Sequence, residues 1–281
     1  MHSIINQMIQ LQELTLIRHE QKIARGGERL EELDASIKAM ATGLVSEHRI
    51  MFEKLQKKDF NVIVPISDGI CSVCGLKLPI SLVQAVRLAK AIHNCPNCAR
   101  ILYYPESAPR HVRGTPRRSE PRKPGIQRFS AQSLMVPSLE STDVEGAIRE
   151  LAYKMEAEGF VDKADKLVER ALKREAVVST AVDHGIAFPH VRGIEGGSLT
   201  LSLGISKKGI KFTANGDDEK SLTKMVFFLV IPTAASAFYL KLLAGLTESF
   251  IKPEVRKAIM AEKDQEGLWK ALIKATRLTV K

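Results

Sequence analysis

The longest unbroken apolar run in the chain, Met225–Ile231, has seven residues with no polar member. A run of that length predicts a central strand covered on both faces. Ahead of it, Leu199, Leu201, Leu203 and Ile205 alternate with Thr200, Ser202, Gly204 and Ser206, which predicts a half-buried strand. Helical spacing frames both. Thr142-Asp143-Val144-Glu145 reads as a capping box opening a helix that turns Ala147, Ile148, Leu151, Ala152 and Met155 inward, with Gly159 closing it. A second helix carries Ala164, Leu167, Val168, Ala171 and Leu172. Later helices are expected over Ser236–Phe250, from Pro253, and after an Asp264 cap with Leu268, Trp269 and Leu272 inward. Residues 131–281 therefore read as an α/β domain, a mixed sheet flanked by helices.

The first 60 residues follow a different rhythm. Leu30, Leu33, Ile37, Met40, Leu44, Met51 and Leu55 alternate steps of three and four, with His48 filling the missing rung. Ile5, Ile9, Leu16 and Ile23 make a weaker earlier seam, and Arg25-Gly26-Gly27 lies between the two. Residues 1–60 are expected to form an antiparallel coiled-coil hairpin. Its seam either packs on itself or serves as a homo-oligomer or partner-docking arm.

All four cysteines fall in residues 61–106, as Cys71-x-x-Cys74 and Cys95-x-x-Cys98. Two such knuckles about twenty residues apart are the spacing of a zinc site, and four thiolates close a tetrahedral structural Zn²⁺ with no position left for catalytic water. Between them Leu82, Val83, Val86, Ala89 and Ile92 recur at helical spacing and supply a small core. D-G-I-C-S-V-C-G-L-K-L-P followed by C-P-N-C-A-R-I-L-Y-Y-P-E resembles the C4-type zinc ribbon that follows a coiled-coil hairpin in a widespread bacterial family. The resemblance implies an adaptor or regulatory role and no catalysis.

Charge changes the picture only locally. The chain of 281 residues is 44% hydrophobic and 26% charged, ordinary for two modest globular domains. Its net charge is +10, yet Arg110, Arg113, Arg117, Arg118, Arg122, Lys123 and Arg128 stand against Glu120 alone, which puts more than half of that excess in one stretch. With its prolines, 107–130 reads as a basic extended linker. No aromatic residue is interleaved over Ala108–Arg128 to stack bases, which argues against nucleic acid as a partner. Met1–Gln12 lacks the pattern of a signal peptide, and Pro232, Ser236 and Lys241 interrupt the apolar stretch to Leu246. The expected setting is cytoplasmic, away from membranes.

The candidate chemistry lies in R-E-A-V-V-S-T-A-V-D-H-G-I-A-F-P-H, Arg174–His190. A histidine just past a short strand, beside a proline, is expected over an edge of the fold. Its unperturbed pKa of about 6.5 leaves a neutral, nucleophilic imidazole at cellular pH. Arg174, Ser179 and Thr180 supply charge-assisted and hydroxyl hydrogen bonds suited to a phosphoryl group. G-I-A-F-P-H, with R-E and S-T before it, resembles the type 2 enzyme IIA domains of the mannitol/fructose and nitrogen-regulatory branches of the bacterial phosphotransferase system. The resemblance implies that His190 accepts a phosphoryl group from an HPr-type phosphocarrier and that Arg174 stabilises it. It aligns Tyr239 with the family's second histidine. It also places Ala181 and Asp183 where the family's T-G-x-G-x-G turn has glycine, so any need for positive φ there would strain Ala181. The leading expectation is a phosphocarrier or regulatory protein with an unnamed protein target. The alternative is a catalytically silent zinc-ribbon adaptor, or a nucleic-acid-binding regulator.

Overall fold

The computed structural model describes residues 2–25, 30–105, 124–194, 199–212 and 222–280. It contains two compact units, Met1–Ala108 and Pro109–Lys281. Residues 107–123, most of the expected linker, lie outside the described residues, as do Gly26 and Gly27.

In the first unit, α1 (His2–Arg25) packs on α2 (Glu31–Thr42). Arg18 pairs with Asp34 while Gln7 lies against Gly43, so the two run antiparallel. The expected second arm is not one helix. It breaks after Thr42, and α3 (Ser46–Gln56) follows. Nor does the seam pack only on itself: Leu44 and Phe52 join Ile5, Met8 and Leu11 in a core shared with Val62, Ile63 and Ile101 of the ribbon. Gln12 fixes the docking, since its amide donates to Ile63 O (3.0 Å) and accepts from Ile63 N–H (2.8 Å).

The ribbon sheet has strand order β2-β1-β4-β3, from β1 (Ile63–Ser67), β2 (Ile70–Cys71), β3 (His93–Asn94) and β4 (Ile101–Tyr103). Asp68 (φ 49°) and Gly69 (φ 74°) make the two-residue turn joining β1 to β2. The expected helical insert is α4 (Ile80–Leu88), which buries Val86.

The second unit is the mixed α/β layer the patterning predicts. The strands are β5 (Met135–Val136), β6 (Ala181–Val182), β7 (Ile186–Ala187), β8 (His190–Ile194), β9 (Thr200–Ile210) and β10 (Thr223–Pro232). The helices are α5 (Val144–Ala157), α6 (Ala164–Glu175), α7 (Ser236–Phe250), α8 (Pro253–Ala261) and α9 (Gln265–Thr276). Asp143 and Asp264 cap α5 and α9, each accepting at 2.7 Å from the N–H three residues on. Strand order is β5-β9-β10-β7-β6, with β10 central and its apolar run Met225–Ile231 buried throughout, as expected. It runs antiparallel to β9 and parallel to β7 and then β8 along its other edge.

One expectation fails here: β9 is covered on both faces over residues 200–206. Its alternate residues are small, which lets neighbours close over them. Ser202 Oγ donates to Leu134 O (2.7 Å), and a Cβ on Gly204 would lie 2.8 Å from Leu139.

Candidate functional site

The break between β7 and β8 creates the site. Proline has no N–H to give to β10, so the ladder lapses over Phe188-Pro189 and resumes at His190, opposite Leu229. Phe188 is held from both ends: its N–H donates to Thr180 O (3.1 Å), and its carbonyl lies 2.9 Å from His190 Nδ1. A carbonyl only accepts, so Nδ1 carries the proton and the lone pair of the neutral ring sits on Nε2.

His190 is not perched over an edge. It is 2% exposed, because β10 pairs with its strand and Tyr239 of α7 covers its ring. The two ring centroids are 5.2 Å apart, and Tyr239 Oη lies 3.4 Å from Nδ1. Tyr239, the residue the resemblance aligns with the family's second histidine, is thus the ring that lies against His190.

Arg174, at the end of α6, donates from Nη1 to Val178 O (2.8 Å), heading the loop that carries Ser179 and Thr180. Both hydroxyl residues are buried. Thr180 N–H and Oγ1–H donate to the Glu175 carboxylate, the latter at 2.6 Å, so its hydroxyl hydrogen is already committed. Ser179 Oγ accepts from Ala181 N–H (3.2 Å). The strain expected at Ala181 and Asp183 does not arise, because the left-handed positions of this turn are His184 (φ 69°) and Gly185 (φ 74°).

Three participants escaped sequence reasoning. Glu175 was visible as the partner of Arg174 in R-E, but its reach to Thr180 was not. The Phe188 carbonyl carries no side-chain signal. Arg192 could have been found by strand period, being two residues after His190 and so on its face. Its guanidinium lies over the Tyr239 ring, with Cζ 4.9 Å from the centroid.

The second candidate centre is the cysteine cluster, whose four Sγ atoms lie within 4.8 Å of one another. Cys71–Cys98 and Cys74–Cys95 sulfurs are 3.8 and 3.6 Å apart. Zn–S bonds of about 2.3 Å at tetrahedral angles put sulfurs roughly 3.8 Å apart, so the cluster fits zinc. The knuckles match atom for atom. Cys71 N–H donates to Leu76 O and Gly75 N–H to Cys71 O; Cys95 N–H donates to Arg100 O and Ala99 N–H to Cys95 O. Burial pushes the Cys71 thiol up to about 12. At Cys74 burial also works upward, but hydrogen bonds from Leu76 N–H and Asn97 outweigh it and hold the thiol at about 6. Arg100 ties the second knuckle to the rest of the unit through Asn61 O (2.9 Å) and Asp59.

Comparison with known proteins matches two segments of the chain. Residues 129–275, just over half of the chain, match the phosphoenolpyruvate-dependent sugar phosphotransferase system EIIA 2 family. Residues 70–102 match the C4-type zinc ribbon domain. The fructose-specific EIIA component of the phosphotransferase system from Haloferax volcanii is 29% identical over 122 residues, 43% of this chain and 77% of that protein. A nitrogen regulatory protein of Bradyrhizobium diazoefficiens is 27% identical over 143 residues, 50% of this chain and 90% of that protein. The solved structure of nitrogen regulatory protein IIA-Ntr from Neisseria meningitidis aligns at 22% identity and a TM-score of 0.47, covering 52% of this chain and 98% of that one. Among the described residues no helix is long and apolar enough to cross a membrane. With the P-H pair at a break in the sheet and its partners around it, the chain belongs to the phosphotransferase system EIIA 2 family and carries a C4-type zinc ribbon ahead of that domain.

Proposed function

We propose that this protein accepts a phosphoryl group on His190 from an HPr-type phosphocarrier and acts as a regulatory phosphoprotein in the cytoplasm. The observation that carries the reading is the hydrogen bond from His190 Nδ1 to Phe188 O, which aims the nucleophilic lone pair at Nε2. In transfer, Nε2 forms the new N–P bond as the donor's N–P bond breaks, and those electrons return to the donor's imidazole ring. The proton stays on Nδ1, which keeps its hydrogen bond to Phe188 O and so steadies the charge the ring gains. Arg174 stabilises the transferred oxygens, and Ser179 contributes its hydroxyl. Thr180 acts by fixing the loop through Glu175.

A regulatory outlet is supported by the relative whose name is a nitrogen regulatory protein, and by the zinc ribbon unit on the same chain. The ribbon's Zn²⁺ is structural. When bound it supplies a cross-link between the two knuckles, and Cys71, Cys74, Cys95 and Cys98 would hold it. Self-association belongs to the N-terminal helices, where Val45 and Ile50 stay exposed beside the seam.

The test is incubation with a phosphorylated HPr-type protein followed by mapping of the label. It should be acid-labile and alkali-stable, sit on His190, and be absent from His190→Ala. A folded wild type that takes no label from any such donor would leave the silent adaptor as the surviving reading.

A further inference from the structure

We propose that Arg192 is a second phosphoryl-binding cation of this site, and that Tyr239 serves as its platform. The inference deepens the phosphoryl-acceptor reading and rests on it.

His190 and Arg192 stand two residues apart on β8, so both side chains leave the same face about 6.6 Å apart along the strand. Tyr239 touches both: its ring is 5.2 Å from the His190 ring centroid and 4.9 Å from Arg192 Cζ. Tyr239 itself is fully buried, which makes it a fixed support.

The backbone beneath Arg192 is also held. Arg170, one helical turn before Arg174, donates to Arg192 O. Directly after Arg192 the pairing with β10 slips: Ile231 faces Arg192, while Pro232 faces Ile194. Gly193 is the extra residue and takes φ 68°, and a Cβ there would meet Arg170 Nη2 at 3.4 Å. A bulge of this kind bends its strand and re-aims the neighbouring side chain. Arg170 of α6 thus holds the strand on which Arg192 follows the acceptor.

Guanidinium chemistry assigns the role. Seated on an aromatic ring, Arg192 uses its face for cation–π attraction. Its N–H donors lie in the guanidinium plane, along its edge, and are not consumed by the stack. That edge is the geometry that takes two oxygens of a phosphoryl group at once. Arg174 meanwhile has Nη1 committed to Val178 O. A dianionic group arriving at Nε2 calls for more than one cation, and Arg192, seated on the ring that lies against His190, is the second. Tyrosine at position 239 then follows: it supplies a broad apolar face for Arg192 while keeping a hydroxyl near Nδ1.

Two measurements on the whole zinc-loaded chain test this. The first is the rate of His190 labelling by a phosphorylated HPr-type protein. Arg192→Gln should slow it about 10²-fold with an unchanged circular dichroism spectrum. Arg192→Lys, which keeps charge but loses the planar stack, should fall between the two. Tyr239→Leu, which removes the platform, should behave like Arg192→Gln. The second is titration with inorganic phosphate, followed by NMR of the His190 ring and the Arg192 side chain. Wild type should respond at both, and Arg192→Gln at neither.

Equal labelling of wild type and a folded Arg192→Gln overturns the proposal, as does phosphate binding that ignores Arg192. Should wild type take no label while phosphate still shifts Arg192 and His190, the anion site stands and the phosphocarrier reading falls. Absence of both responses overturns the two together. If Arg192→Gln fails to fold, Arg192→Lys carries the same comparison.

Discussion

At the scale of single residues, the site works by committing hydrogen bonds in advance. Phe188 O sets the tautomer of His190, Val178 O holds Arg174, and Glu175 gathers two donors of Thr180. Arg174→Ala should therefore have two separable effects. Losing a charge-stabilising donor should lower the labelling rate of His190 about 10²–10³-fold. Losing the bond to Val178 O should lower stability by about 1.5–3 kcal/mol, read from urea unfolding. A full loss of rate without any loss of stability would mean the bond to Val178 O does not hold the loop. Glu175→Ala strands two partly buried Thr180 donors and should destabilise by about 1–3 kcal/mol. It should also slow labelling, since Phe188, which sets the tautomer, hangs from Thr180 O. An unchanged rate in that variant would cut Glu175 out of the account of the site.

Elements show where local sequence codes were sufficient and where they were overridden. The two zinc knuckles repeat one backbone pattern, but Gly75 (φ 72°) in the first is answered by Ala99 (φ 59°) in the second. A left-handed alanine costs roughly 1–2 kcal/mol that glycine does not. Ala99→Gly should thus raise the stability of the zinc-loaded first unit by about 1 kcal/mol, measured by thermal unfolding. A lower melting temperature would show that the alanine methyl group contributes more than its backbone strain costs. In β9 the situation is reversed. Gly204→Val would drive side-chain atoms into Leu139, already at 2.8 Å from a hypothetical Cβ, and should cost about 1–3 kcal/mol through overpacking. The pattern of alternating small residues could not announce this, because it reads the same whether water or a neighbouring segment covers the second face.

Across the whole molecule, the chain joins a metal-stapled unit to an α/β unit with its own core, so the two should fail under different stresses. The ribbon's own core is small and includes Cys71 and Cys95 themselves. Zinc binding needs thiolates, and protons compete for them; the metal's contribution to stability is present near neutral pH and is lost as pH falls. Chelation under mild acid should release one zinc per chain, counted by elemental analysis, and collapse the first unit while His190 remains competent for labelling at neutral pH. Loss of labelling together with the metal would show that the units depend on each other. The sequence alone determined the parts that rest on short-range rules. Cysteine spacing gave the ligand set, the seven-residue apolar run gave the central strand, Asp143 and Asp264 gave the helix starts, and P-H with R-E and S-T singled out His190 and Arg174 as the candidate acceptor and arginine. Only the tertiary structure decided what depends on chain segments meeting from far apart. It put the N-terminal seam against the ribbon, covered the polar face of β9, buried His190 beneath a tyrosine 49 residues on, and seated Arg192 on that same ring. Periodicity shows that a residue faces inward; what it faces is fixed only when sheet and helices close over it.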